Sequence, residues 1–98
     1  MKLLELFKAV KEDNLTKAQL ENYHKDMSEA MQQLHLQLGE LKKKRAMYML
    51  SFDGLTNAEI KRRWDGTEDG LREIELKSYI RATSTTLSSL KSRLYSIY

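Results

Sequence analysis

Residues 20–48 read LENYHKDMSEAMQQLHLQLGELKKKRAMY. Within them Leu20, His24, Met27, Met31, Leu34, Leu38, Leu41, Arg45 and Tyr48 recur at alternating spacings of four and three. That is the period of a helix that lies along a second helix, with the recurring residues as its seam. His24 and Arg45 are the polar breaks in it. Just upstream, Thr16 and Gln19 stand three apart as a capping box: the hydroxyl accepts from one free N–H at the helix start, and the amide side chain accepts from another. A helix over residues 16–50 follows, about 50 Å long at the usual helical rise.

A second seam stands near the other end of the chain. Leu76, Ile80, Thr83, Leu87, Leu90, Leu94 and Ile97 repeat the same spacing, with Thr83 as the polar break. Glu68, Asp69, Glu73 and Glu75 precede it and suit the first turns of a helix, where negative charge meets the positive end of the dipole. This helix is expected to begin near residues 67–71 and to run over 68–97. Between the seams, Asp53-Gly54, Asp65-Gly66 and Gly70 are turn signals. Thr56 and Glu59 there form another capping box, which predicts a short helix over 57–64. Residues 2–12 carry Leu3, Leu4, Leu6, Phe7 and Val10 against Lys2, Glu5, Lys8, Lys11 and Glu12, a short amphipathic helix. The expected fold is all-α: one helical domain over residues 1–98, an antiparallel two-helix hairpin flanked by the two short helices. Two helices share little buried volume, so a homo-oligomer, or a partner that completes the core, is expected.

Composition narrows the function classes. The chain has 98 residues, 41% hydrophobic and 32% charged, with no Cys and no Pro. The missing Cys excludes disulfides, thiolate metal sites and a cysteine nucleophile. No apolar run approaches the roughly 18–20 residues of a membrane span. Charge interrupts the first residues too often for a secretory signal. A cytoplasmic protein is expected, in the host cell cytoplasm if it is viral, with no membrane partner and no small-molecule substrate. His24 and His35 stand eleven apart on one helix, about 16 Å along its axis, too far to share a metal. The acids at 65–75 lack the alternate spacing and closing Glu of a calcium loop. No phosphate-cradling glycine loop or nucleophile motif occurs. The expectation is a non-enzymatic protein without metal or cofactor.

The net charge of +3 conceals strong segregation. Residues 40–63 hold seven cations and three acids, residues 64–75 one cation and five acids, and residues 76–98 four cations and no acid. In a hairpin, Lys42, Lys43, Lys44 and Arg45 approach Lys61, Arg62 and Arg63, with Lys77 and Arg81 further along. Clustered cations favour phosphate backbones, because each neutralised phosphate releases counterions. Tyr48, Trp64 and Tyr79 are interleaved with them, and exposed rings stack on unpaired bases. The competing readings are a solvated face, ion pairing with the acids at 65–75, an acidic protein partner, and Trp64 as a plug for the end of the hairpin.

One resemblance rests on Lys43-Lys44-Arg45-Ala46-Met47-Tyr48 at a long helix end, a broken connector, then Glu75-Leu76-Lys77 and Leu90-Lys91-Ser92-Arg93. Residues 20–97 resemble bacteriophage recombination-mediator proteins of the UvsY type. The resemblance implies a helical-hairpin fold, assembly into rings, binding of single-stranded DNA and a role in recombinase loading. It singles out Lys43, Lys44, Arg45, Lys91 and Arg93 as DNA-contacting. The leading expectation is thus a phage-encoded, oligomeric accessory protein of recombination or replication that favours single-stranded DNA. The alternative is a helical adaptor or inhibitor that docks on a host or viral protein through Leu3, Leu6, Phe7 and Val10.

Overall fold

Three of the helices start at a threonine whose hydroxyl takes up a free backbone N–H. Thr16 Oγ1 accepts from the Gln19 N–H at 3.2 Å, and Gln19 Oε1 accepts from the Thr16 N–H at 2.8 Å. Thr56 Oγ1 accepts from the Glu59 N–H at 3.2 Å. Thr67 Oγ1 accepts from the Gly70 N–H at 3.0 Å and donates to the Trp64 carbonyl at 2.6 Å. Such caps remove part of the cost of the unpaired first turn. The computed structural model describes residues 2–97, excluding the side chain of Ile97, so the seam position expected there lies outside the described residues. The helices are α1 (Leu3–Val10), α2 (Lys17–Leu50), α3 (Asn57–Asp65) and α4 (Glu68–Ile97), and there is no strand among the described residues.

The long helices α2 and α4 pack antiparallel through their seams. On α2, Leu20, Met27, Leu34, Leu38 and Leu41 are buried, while His24, Met31, Arg45 and Tyr48 are half-buried. On α4, Leu76, Thr83 and Leu90 are buried, with Ile80, Leu87 and Leu94 half-buried. Every described seam residue therefore points inward, as the 4-3 spacing requires. Backbone contacts divide the chain into two units, Met1–Gln33 with Ile80–Tyr98, and Leu34–Tyr79; α2 and α4 each contribute to both.

In the first unit, α1 lies on the opening half of α2 and the closing half of α4. Leu6, Val10, Leu20, Met27 and Leu90 form its core, with Leu3, Phe7, Leu15, Tyr23, Leu87 and Leu94 packed around them. Full burial of such a side chain contributes about 1.5–3 kcal/mol. Leu6 and Val10 are thus consumed by the chain's own core and cannot anchor a foreign protein, as the adaptor reading requires. Leu4 departs from the single apolar face expected for α1: it is 61% exposed, a helical step of about 100° beyond the buried Leu3 side. Arg93 fastens the end of α1, donating to the Val10 carbonyl at 2.6 Å and the Glu12 carbonyl at 2.8 Å. These are carbonyls that a helix end leaves without intrahelical partners. The hydroxyls in the Ser- and Thr-rich stretch of α4 are satisfied locally. Thr85 and Thr86 donate to the carbonyls of Arg81 and Ala82, one turn back.

In the second unit, α3 and the start of α4 fold against the end of α2. Leu34, Leu38, Leu41, Ile60, Trp64 and Leu76 are buried there. Gly54 turns the connector with φ +79°, a conformation that a Cβ disfavours. Gly70 is not a turn residue but lies inside α4, where the helix touches the end of α3. A Cβ there would stand 2.6 Å from the Trp64 carbonyl carbon and 2.9 Å from Asp65 Cα. Both are backbone atoms that cannot swing away. Gly70→Ala is accordingly expected to cost about 2 kcal/mol or more of stability. Gly39, mid-helix with open space around it, offers the control: Gly39→Ala should raise stability by about 0.5–1 kcal/mol. Urea denaturation of the two variants measures both, and equal effects would refute this packing of α3 on α4.

Candidate nucleic-acid interface

The cations expected to gather in one surface divide into those the fold uses and those it leaves free. Arg45 and Lys77 belong to the first group. Arg45 Nη1 donates to Glu73 Oε1 at 2.9 Å, and Lys77 Nζ lies 3.5 Å from the same oxygen. The Glu73 side chain is 3% exposed, against 30% for Arg45 and 44% for Lys77. Glu73 Oε2 is buried with no hydrogen-bond partner. A buried carboxylate needs compensating positive charge, so these two cations serve it before they serve any phosphate. Arg72, beyond the expected set, is also engaged, with Glu75 at 3.2 Å and Gln37 at 3.3 Å.

The aromatic residues are used in the same way. Trp64 is 3% exposed, and its ring packs 5.4 Å from that of Tyr48, which in turn lies 4.9 Å from Phe52. The Arg63 guanidinium sits 5.6 Å over the Phe52 ring. Trp64 therefore has no free face for a base, and Tyr48 is half-buried in the same cluster. The expected stacking role of these two rings is corrected: they plug the junction of α2 and α3. The burial of the Trp64 Nε1–H without a partner is a cost that this plug carries.

What remains in this unit is Lys42, Lys43 and Lys44 on α2 with Lys61 and Arg62 on α3. All five are exposed, and none has an ion-pair partner among the described residues. Consecutive residues on a helix step round by about 100°, so Lys42–Lys44 fan out over the outer side of α2 and cannot all grip one line of phosphates. Eight acids offset the nine cations of residues 34–79, so the field is local to these side chains. The remaining expected cations are in the other unit. Arg81 is exposed, Lys91 lies 5.8 Å over the Tyr95 ring, and Arg93 is spent on the α1 carbonyls.

The Arg45–Glu73 pair was missed in the sequence, where Glu73 reads as one of the dipole-facing acids at the start of α4. A signal for it existed. Glu73 stands three residues before Leu76 and so continues the α4 seam, and Arg45 is a polar break in the α2 seam. One polar break facing another is the expected arrangement for such helices. Comparison of the chain with protein-family models, with curated proteins and with solved structures finds no match.

Removing one partner of a pair like this leaves an uncompensated buried charge. Arg45→Leu alone should lower stability by about 2–3 kcal/mol, and Arg45→Leu with Glu73→Leu should return it to within about 1 kcal/mol of the parent. A thermal or urea denaturation cycle over the four proteins checks this. A double variant no better than the single one would mean the pair does not form.

Proposed function

We propose that the chain is a non-enzymatic, oligomeric accessory protein that holds nucleic acid by its backbone, through Lys42, Lys43, Lys44, Lys61 and Arg62. The observation behind this reading is that these five cations are exposed, have no ion-pair partner among the described residues, and fall within one unit of the fold, Leu34–Tyr79. A cation spent on no internal contact has a reason to be retained if it meets a phosphate. The burial of Trp64 shapes the proposal. Binding comes from charge, with little base stacking and little sequence preference. A phage origin and a part in recombination or replication are proposed on the resemblance to the UvsY-type mediators. Of the positions it singles out, Lys43, Lys44 and Lys91 are exposed, while Arg45 and Arg93 are held inside the chain.

The second reading, a helical adaptor, draws on a different observation. Leu36, Met47 and Leu50 are 63%, 70% and 80% exposed on the outer side of α2. Large apolar side chains left in water on one helix suit a protein surface better than a phosphate backbone.

Titration of a fluorescent single-stranded oligonucleotide over a range of salt separates the two. With about three phosphates engaged, since Lys42–Lys44 cannot all lie along one strand, log K should fall with log salt at a slope of about −2. Lys42→Glu, Lys43→Glu and Lys44→Glu together should weaken binding at least about tenfold while helicity is unchanged. Emission from Trp64, the single tryptophan, should not be quenched by the bound strand. Binding untouched by the triple reversal would overturn the nucleic-acid reading.

A further inference from the structure

We propose that copies of this chain associate with one another, the first turns of α4 of one copy lying in the groove between α1 and α4 of another. The groove, in the unit formed by Met1–Gln33 and Ile80–Tyr98, has a volume of about 950 Å³. Leu4 and Phe7 of α1 form one wall, Thr86 and Ser89 of α4 the other, with Lys8 and Lys11 on the same lining. Its walls are largely apolar, and Leu4 is left 61% exposed in it. Counting Lys8, Lys11 and Arg93 against Asp13, the lining carries a net charge of +2. An occupant should therefore be helical, apolar on one side and acidic at its flanks.

The chain itself presents such a surface. Leu71 and Ile74 are 58% and 51% exposed on α4, three residues apart and hence neighbours on one face. The described residues leave more than half of each uncovered. Glu68, Asp69 and Glu75 surround Leu71 and, set against Arg72, give a net charge of −2. The lengths agree as well: the eight residues of α1 make a trough about 12 Å long, which holds two turns of helix. Two different surfaces meet in this contact and each copy carries both, so it closes as a two-fold dimer when exchanged reciprocally and continues as a ring or a filament when passed to a third copy. A two-turn helix buries less area than a standard interface, so association belongs at high micromolar concentration.

This inference is independent of the cationic reading, and its test keeps the two apart. Sedimentation velocity on the full chain from about 10 µM to about 1 mM should give a mass that rises with concentration from the monomer to the dimer or beyond. Leu71→Glu with Ile74→Glu, both exposed, should raise the half-association concentration at least about tenfold with helicity unchanged. Lys8→Glu with Lys11→Glu should do the same, and adding Glu68→Lys with Glu75→Lys should restore association to within about threefold of the parent. Leu36→Glu and the Lys42–Lys44 reversal should leave association unchanged. A parent chain that stays monomeric at the highest concentration overturns the proposal, even if a foreign acidic amphipathic peptide binds the groove. So does a charge exchange that fails to restore association, or a loss caused as strongly by Leu36→Glu.

Discussion

A carboxylate almost wholly removed from water sits at the first seam position of α4 observed to be buried, and the guanidinium of Arg45 meets it at 2.9 Å. Apolar seams tolerate sliding by a heptad, because leucine packs acceptably against any leucine. A buried charge tolerates it poorly, since a slip would leave Glu73 facing Leu38 or Leu41 with only the half-exposed Lys77 of its own helix as counter-charge. The pair thus fixes the register of α2 against α4 in its unit. Lys77 adds a second cation at 3.5 Å, and the half-open edge toward solvent softens the desolvation cost. Because Glu73 lies one turn from Gly70, the same register brings the start of α4 against the Trp64 carbonyl and seats α3.

Much of this was legible in the sequence, for a definite reason. A 3.5-residue period over nine seam positions in one stretch and seven in the other reports a helix and its buried side together, and the Thr-x-x-Gln and Thr-x-x-Glu boxes mark two starts. The third start is placed only to within residues 67–71, because the residue three beyond Thr67 is Gly70, which has no side chain to complete a capping box and reads as a turn from composition alone. Burial of charged groups was less legible. Glu73 and Arg93 look like surface residues in any linear reading, since their partners are 28 and 81–83 residues away. Which rings are free for stacking also depends on tertiary packing. Trp64 beside Arg63 suggests an open aromatic, yet its helix turns it inward while Arg63 lies over Phe52.

The distribution of charge follows from the same economy. A small helical protein with few core residues uses arginine and lysine as structural groups, capping α1, neutralising Glu73 and covering an aromatic ring. Of the cations left over, which also include Lys8, Lys11, Lys25 and Arg81, the nucleic-acid reading is assigned to Lys42–Lys44, Lys61 and Arg62 in the second unit. The exposed large apolar residues include Leu4 of α1, Leu36, Met47 and Leu50 of α2, and Leu71, Ile74 and Tyr95 of α4. A hairpin that cannot bury all its large side chains alone is a natural unit of assembly.

Everything here requires that the two seams meet within one chain. Nuclear Overhauser contacts between the methyl groups of Met27 and Leu90, both fully buried in the core of the first unit, test this most directly. The measurement uses methyl-labelled protein, alone and diluted into an excess of unlabelled chain. Cross-peaks of undiminished relative intensity in the diluted sample are the predicted result. Their absence in both samples, or their disappearance on dilution, would mean that the helices pair otherwise and would contradict the fold described.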